Sequence, residues 1–113
     1  ALLEVAGGTA HELAQPLADA LGRVLGAGEG TVWVRVNMLP AARYAENGLA
    51  VPQPPVFVEV LHYALPDPGQ LQIQARALAD AVAAVLDRPV ESVHVEYQPP
   101  GKGRVAFGGE LVR

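Results

Sequence analysis

The stretch Leu-Ala-Asp-Ala-Leu-Gly-Arg-Val-Leu, residues 17–25, returns as Leu-Ala-Asp-Ala-Val-Ala-Ala-Val-Leu at residues 78–86. When the comparison is extended without a gap, residues 14–48 and 75–109 are identical at twelve of 35 positions. Chance gives about three or four identities in a chain so rich in Ala, Val, Leu and Gly. Because a repeat sets the architecture of a chain, we predict a tandem duplication.

The repeat is more than a shared helix pattern. Any two strand–helix–strand units look alike, but Arg43 matches Arg104 and Gly48 matches Gly109, beyond the helical part. Three prolines within residues 50–55 indicate a linker between the copies. We predict one domain over residues 1–113, made of a first repeat (1–49), a linker (50–55) and a second repeat (56–113).

Composition excludes several classes of protein. Of the 113 residues, 50% are hydrophobic and 18% charged, with a net charge of -4, which is too apolar for a disordered segment. The absence of cysteine excludes a disulfide scaffold, a thiol nucleophile and a cysteine-ligated zinc. One lysine and scattered arginines form no basic stripe for nucleic acid. With no apolar run long enough to span a membrane and no signal-peptide pattern, we expect a cytoplasmic protein.

The first repeat has a β–α–β pattern. Residues 2–5 are a short strand, and Thr9 with Glu12 forms a potential capping box at a helix start. Pro16 should kink that helix or delay its start. Strict alternation over residues 31–37 predicts a second strand, with Trp33 on one face. The apolar face of the helix comprises Leu13, Leu17, Leu21, Val24 and Leu25.

The second repeat has clearer boundaries. Residues 56–61 predict a strand, and Asp67-Pro68-Gly69-Gln70 places a cap and a first-turn proline at the start of a helix. Residues 92–97 alternate again as a strand. The apolar stripe of this helix comprises Leu71, Leu78, Val82, Val85 and Leu86.

Two such units with right-handed crossovers predict an α+β two-layer sandwich, a four-stranded sheet with two helices on one face. The other face then carries Trp33, Arg35, His94 and Glu96. A mixed polar and aromatic face of this kind lines a site or meets a partner. Short strands near 105–107 and 111–112 are expected to extend the sheet of a neighbouring subunit.

Three segments resemble 4-oxalocrotonate tautomerase: residues 86–95 (Leu-Asp-Arg-Pro-Val-Glu-Ser-Val-His-Val), 101–103 (Gly-Lys-Gly) and 108–111 (Gly-Gly-Glu-Leu). With its two copies, the chain looks like a fused member of the tautomerase superfamily, similar in length to macrophage migration inhibitory factor. The resemblance implies a homotrimer whose sheets close into a barrel. It also implies sites between subunits, near the amino termini.

The family's chemistry, as the resemblance implies it, rests on an amino-terminal proline that acts as general base, general acid or nucleophile. The matching residue here is Ala1. An α-amine has a pKa of about 7.7–8.0, which burial lowers. Ala1 is therefore a candidate for proton transfer or for an imine with a carbonyl compound. The opposite interpretation is that the loss of proline marks a lost activity.

Other family positions also differ. The strand position where the resemblance implies a carboxylate-binding arginine holds Trp33 in one copy and His94 in the other. The loop after the first strand offers no arginine. The family's hairpin aromatic residue matches Tyr44 in the first copy and Val105 in the second. The tyrosine and asparagine of macrophage migration inhibitory factor are matched by His94 and Glu96.

We therefore name catalytic and binding candidates from the residues present. Ala1 and His94 are the catalytic candidates, because an α-amine and an imidazole titrate near neutral pH. Arginine offers two parallel donors to a carboxylate. For the charged residues on the strands the alternative is a structural ion pair, such as Glu96 with Arg35. For Arg43 and Arg104 it is a solvated hairpin cation, and for Trp33 it is interface packing. The substrate-binding candidates are Arg35, Arg43, Trp33, Tyr44, Glu96 and Arg104.

Two functions follow from these residues. The first is a divergent keto–enol tautomerase or isomerase of a small 2-oxo acid, with Ala1 moving the proton, Arg35 or Arg43 holding the carboxylate and His94 polarising the carbonyl. The second is a catalytically inactive trimer with a binding or assembly role. In both, the expected partners are a small carboxylate ligand and two further copies, with no nucleic acid and no membrane. No ligand-spaced residues accompany His11 or His62, so no metal and no cofactor are predicted.

Overall fold

A computed structural model describes residues 1–6 and 13–113 as a four-stranded mixed sheet with two helices on one face. The four strands lie in the order β2-β1-β3-β4. β1 and β2 are parallel, as are β3 and β4, and β1 runs antiparallel to β3. The predicted α+β two-layer architecture is confirmed. The elements are β1 (Leu2–Ala6), α1 (Ala14–Leu25), β2 (Trp33–Asn37), β3 (Val56–Leu61), α2 (Pro68–Leu86), β4 (Val93–Tyr97), β5 (Ala106–Phe107) and β6 (Glu110–Leu111).

The core lies between the sheet and the helices. Alternation turns Leu3 and Val5 of β1 inward with no exposed surface, beside the valines of β3. Both helices contribute leucines, and the helices also pack against each other. The fully buried side chains are Leu3, Val5, Leu17, Leu21, Val56, Val58, Val60, Leu78 and Val82.

The two helices begin differently. Asp67 caps α2, accepting a hydrogen bond from the Gln70 backbone N–H at 3.0 Å, as predicted. In α1 the N-cap residue is Leu13, and Pro16 occupies the first turn, where its missing N–H leaves no helical hydrogen bond unmade. The proline therefore fits a helix with a delayed start. The predicted capping residues Thr9 and Glu12 lie outside the described residues.

The ends of the helices follow from local conformation. Gly26 ends α1 with a φ of 60°, the left-handed conformation that glycine adopts without penalty. Asp87 ends α2 in the same region with a φ of 53°. In the described part of the chain no helix is both long enough and apolar enough to cross a membrane.

The carboxyl-terminal strands do not join the main sheet. β5 and β6 pair with each other as a small antiparallel hairpin. The Val112 N–H donates to the Val105 carbonyl at 2.9 Å and extends this pairing. The two short strands exist as expected, and within the single chain their partners are each other. Closure of the sheet into a barrel requires further copies and stays a prediction, as does the duplication.

Candidate active site

A cavity of about 200 Å³ opens where β1 begins. The register pairs Leu2 with Trp33 on one side and with Leu61 on the other, so these three side chains form one row on the open face of the sheet. The carboxyl-terminal hairpin closes the opposite side through Phe107. The lining comprises Ala1, Leu2, Trp33, Leu61, His62, Tyr63, Gly101, Val105, Phe107 and Val112.

The amine of Ala1 is held at the edge of this cavity. It donates a hydrogen bond to the Thr31 carbonyl at 2.9 Å, while the Ala1 carbonyl accepts one from the Trp33 N–H at 2.9 Å. Partial burial lowers the pKa of the Ala1 amine below its ordinary value, because the apolar wall disfavours the ammonium form. The arrangement raises the share of neutral amine at neutral pH.

Trp33 forms a fixed wall of the cavity. Its Nε1–H donates to the Gly30 carbonyl at 2.9 Å. Its ring meets Phe107 edge to face, with 5.1 Å between centroids. Edge-to-face contacts of this kind are favourable for aromatic rings. The side chain is nevertheless 52% exposed, so it remains accessible from the cavity side.

His62 lines the cavity and was missed by the sequence analysis, which considered it only as a metal ligand. The register that pairs Leu2 with Leu61 places His62 opposite Ala1. His62 Nε2 lies 2.7 Å from the Gln74 amide oxygen, which also accepts the Tyr97 hydroxyl at 2.9 Å. An Nε2–H tautomer of His62 would donate to that oxygen. Alternation continued past Leu61 turns His62 toward the helix side, so no sequence signal pointed to its place at the cavity edge.

Arg35 lies on the same face but outside the cavity. Its guanidinium forms an ion pair with Glu4 on the adjacent strand. Asn37 also donates to the Glu4 carboxylate, at 3.3 Å. The alternative that Arg35 pairs with Glu96 is wrong in this chain, since β4 lies at the opposite edge of the sheet. Glu96 instead opposes Glu59 of β3.

Arg104 has a structural environment. Its Nε donates to the Pro100 carbonyl at 2.9 Å and its Nη2 to the Pro99 carbonyl at 3.1 Å. These bonds hold the turn before the hairpin. Arg43 lies exposed on a short 3₁₀ turn, Ala41–Arg43, away from the cavity lining. The single chain therefore brings neither arginine into the wall.

His94 lies at the other end of the sheet from Ala1. It opposes Phe57, which in turn opposes Ala6, so it is separated from Ala1 by about 16 Å along the strand direction. The centroid of the His94 ring lies 5.7 Å from that of Phe57. The centroid of the Tyr44 ring lies 5.9 Å from that of Phe57. These residues form a second aromatic group around Phe57.

Tyr44 stays protonated in this second group. A hydrogen bond to the Glu46 carboxylate at 2.6 Å raises the pKa of the Tyr44 phenol.

Of the eight candidates named from the sequence, only Ala1 and Trp33 line the cavity. Among residues 1–6 and 13–113, no cluster of His, Asp or Glu has the make-up of a metal site.

The mixed β2-β1-β3-β4 sheet with both helices on one face is also the fold of solved structures of a fused 4-OT, a cis-3-chloroacrylic acid dehalogenase family member and a malonate semialdehyde decarboxylase, which match this structure along nearly its whole length. No protein-family model matches the sequence, and no curated protein matches it either.

Three solved structures show how similar the folds are. A fused 4-OT solved as a symmetric trimer is 22% identical, with a TM-score of 0.80, covering 99% of this chain and 95% of that one. A member of the cis-3-chloroacrylic acid dehalogenase family is 22% identical, with a TM-score of 0.76 over 100% and 84% of the two chains. A malonate semialdehyde decarboxylase is 16% identical, with a TM-score of 0.72 over 96% and 89%.

Proposed function

We propose that this chain is a divergent enzyme of the tautomerase superfamily that moves a proton between the α-carbon and the oxygen of a small carbonyl compound. The observation that carries the proposal is the Ala1 amine, whose pKa is lowered by burial at the edge of an apolar cavity. The proposal requires a free α-amine at Ala1. Amino-terminal sequencing of the purified protein tests this requirement.

The chemistry needs only a base near neutral pH and a dry cavity. A neutral primary amine that donates one N–H to the Thr31 carbonyl keeps its lone pair for a proton. The amine removes a proton from the α-carbon, the C–H electron pair forms the enol double bond as the C=O π pair moves onto oxygen, and the resulting ammonium gives its proton to that oxygen. General-base catalysis of this kind contributes about 10²–10⁴-fold in rate.

We also propose that the working form is a homotrimer. A fused 4-OT with this fold was solved as a trimer, and here Trp33 on the open sheet face and Phe107 and Leu111 of the hairpin are substantially exposed. Exposed apolar groups on one face are typical of a protein contact. In a trimer, His94, Glu96, Arg43, Tyr44 or Arg104 of a neighbouring chain would be the groups that complete the site. Arg35 is the arginine of the same chain on that face.

Hydrogen–deuterium exchange at the α-carbon tests the proposal. Phenylpyruvate is a 2-oxo acid, the class that the resemblance implies, and phenylacetaldehyde carries the same ring and the same acidic methylene without the carboxylate. We expect saturable loss of the methylene proton signal in D₂O for at least one of them, above the buffer rate. Exchange by Ala1→Pro alone, and not by the natural protein, would contradict the role of Ala1 as the base.

The positions of the other candidate residues support a second candidate function for the chain. Six of the eight named residues lie outside the cavity wall, and Arg35 is neutralised by Glu4. This arrangement favours a trimer that binds a ligand without turning it over. Binding without α-carbon exchange, in both the natural protein and Ala1→Pro, would favour this function over the first.

A further inference from the structure

The described wall of the Ala1 cavity contains no lysine or arginine. Seven of its ten residues are Ala, Leu, Val, Trp or Phe, and Tyr63 already donates its hydroxyl to the Arg113 carbonyl. The ammonium of Lys102 lies over the Tyr63 ring, 6.0 Å from its centroid, rather than in the wall. In the described wall that one chain supplies, a carboxylate finds no guanidinium fork to replace its hydration shell.

Carboxylates lie next to the cavity on the same face of the sheet. The strand register aligns Arg35, Glu4, Glu59 and Glu96 in one row across all four strands. Glu4 is two residues beyond Leu2, about 7 Å along the strand. Leu2 and Leu61 line both the Ala1 cavity and a smaller depression that contains Glu4, Arg35 and Glu59.

Glu4 forms an ion pair with Arg35, the single arginine of this row. Its two carboxylate oxygens accept from Arg35 and from Asn37, so the Arg35 guanidinium is neutralised on the adjacent strand. With Arg35 paired, Glu59 and Glu96 have no ion-pair partner among residues 1–6 and 13–113. Both residues are exposed on the open face.

We propose that the Ala1 cavity selects an uncharged carbonyl compound with one aryl or compact alkyl group, and that Glu4 sets this selectivity by occupying Arg35. The substrate class rests on the proposed function, whereas the binding selectivity can be measured without turnover. The volume agrees with this class, since an apolar cavity of about 150 Å³ holds benzene and this cavity measures about 200 Å³.

The selectivity has two physical sources. An anion gives up hydration on entering an apolar wall and regains no charged hydrogen bond there. The Glu59 carboxylate, two residues or about 7 Å along β3 from Leu61, also repels it by an amount that lies between the values for water and for a protein surface. Together these effects predict about ten-fold weaker binding of an anion than of its neutral isostere.

Phenylacetamide and phenylacetate form a matched neutral and anionic pair. Trp33 is the single tryptophan of the chain and lines the cavity, so its fluorescence reports occupancy directly. We expect phenylacetamide to bind with a Kd about ten-fold lower than that of phenylacetate at pH 7. Equal or tighter binding of phenylacetate, or no binding of either probe, would overturn the proposal.

Variants separate the release of Arg35 from a simple loss of charge. Glu4→Gln removes one negative charge and frees Arg35, so the ratio of the two Kd values should fall about ten-fold. Glu59→Gln removes the same charge and leaves the Arg35–Glu4 pair intact, so the ratio should fall less. In the double variant Glu4→Gln with Arg35→Gln, the gain in phenylacetate binding should be lost. An equal effect of Glu4→Gln and Glu59→Gln would contradict the role of Glu4.

The outcomes distinguish this inference from the proposed function. If phenylacetamide binds selectively and no α-carbon exchange occurs, the cavity selectivity stands and the tautomerase function fails. If exchange occurs and phenylacetate binds at least as tightly as phenylacetamide, the function stands and the selectivity fails.

Discussion

Ala1 occupies the position where the resemblance implies a proline, so the base in the proposed function is a primary amine. A primary amine keeps two N–H groups when neutral, one of which can stay on the Thr31 carbonyl while the lone pair accepts a proton. Burial lowers the pKa of this amine. The neutral amine therefore becomes the major form at a lower pH than it does for an exposed α-amine.

The pH dependence of exchange follows from that shift. Because the neutral amine is the base, kcat/KM should rise with pH and level off above the amine pKa of the free protein. Since burial lowers that pKa, the midpoint should lie below the range of about 7.7–8.0 expected for an exposed α-amine. The measurement is kcat/KM for α-carbon exchange between pH 5 and 9. A rate that is constant over that range would show that the amine does not act as base.

At the level of single residues, the sequence predicted part of the cavity. Alternation on β2 correctly placed Trp33 and Arg35 on the open face, and the resemblance pointed to Ala1. The Glu4–Arg35 pair was not predicted, because it depends on which strand neighbours β2. His62 was missed because its role depends on the β1–β3 register and on Gln74 of α2.

At the level of elements, α2 carries a buried and an exposed face whose substitutions should differ sharply. Leu78 is fully buried, whereas Ile73 on the same helix is 72% exposed. Leu78→Ala should lower the free energy of unfolding by about 2–5 kcal/mol, through lost burial and the cavity left behind. Ile73→Ala is the matched control and should change it by less than about 0.5 kcal/mol. Urea denaturation of both variants checks this, and equal losses would contradict the packing described.

The start of α2 allows a second comparison. Asp67 accepts a hydrogen bond from the Gln70 N–H, while Asp80, also acidic, makes only an exposed ion pair with Arg76 at 3.3 Å. Asp67→Ala should destabilise the protein by about 1 kcal/mol, because a backbone N–H loses its partner. Asp80→Ala should cost at most about 0.5 kcal/mol. If thermal denaturation ranks the two variants in the opposite order, the cap is not what fixes this helix end.

Periodicity predicted which helices and strands exist and their order along the chain. It predicted the residues at which they begin and end less accurately. Asp67 and Gly26 act locally, so α2 begins and α1 ends where the sequence indicated. The start of α1 at Ala14 could not be fixed, because a capping pattern at Thr9 and a proline at position 16 gave conflicting signals. Pairing of β5 with β6 depends on the local two-residue turn at Gly108 and Gly109, both with positive φ, which strand periodicity does not specify.

At the level of the whole molecule, the open sheet face is the main feature left without a partner in the single chain. Its rows run from Trp33 and Leu2 at one end to Phe57 and His94 at the other. We expect sedimentation equilibrium at micromolar concentration to give the mass of three chains of 11.8 kDa each. The mass of one chain would contradict the trimer and leave His94 far from Ala1.

The proposed catalytic activity depends on one group, the Ala1 amine at the edge of its cavity. Lys102 is the single lysine, so in a Lys102→Arg protein the Ala1 amine is the only primary amine that acetylation can block. Lys102 lies outside the cavity wall, and arginine keeps its positive charge. The Lys102→Arg protein before acetylation is therefore the matched control.

The most direct measurement is α-carbon deuterium exchange of phenylacetaldehyde, followed by proton NMR, with the Lys102→Arg protein before and after acetylation. Loss of the base should slow the protein-catalysed exchange by about 10²-fold or more. Trp33 fluorescence with phenylacetamide should confirm that the acetylated protein remains folded with an open cavity. Equal exchange before and after acetylation would show that Ala1 is not the base and would contradict the central claim.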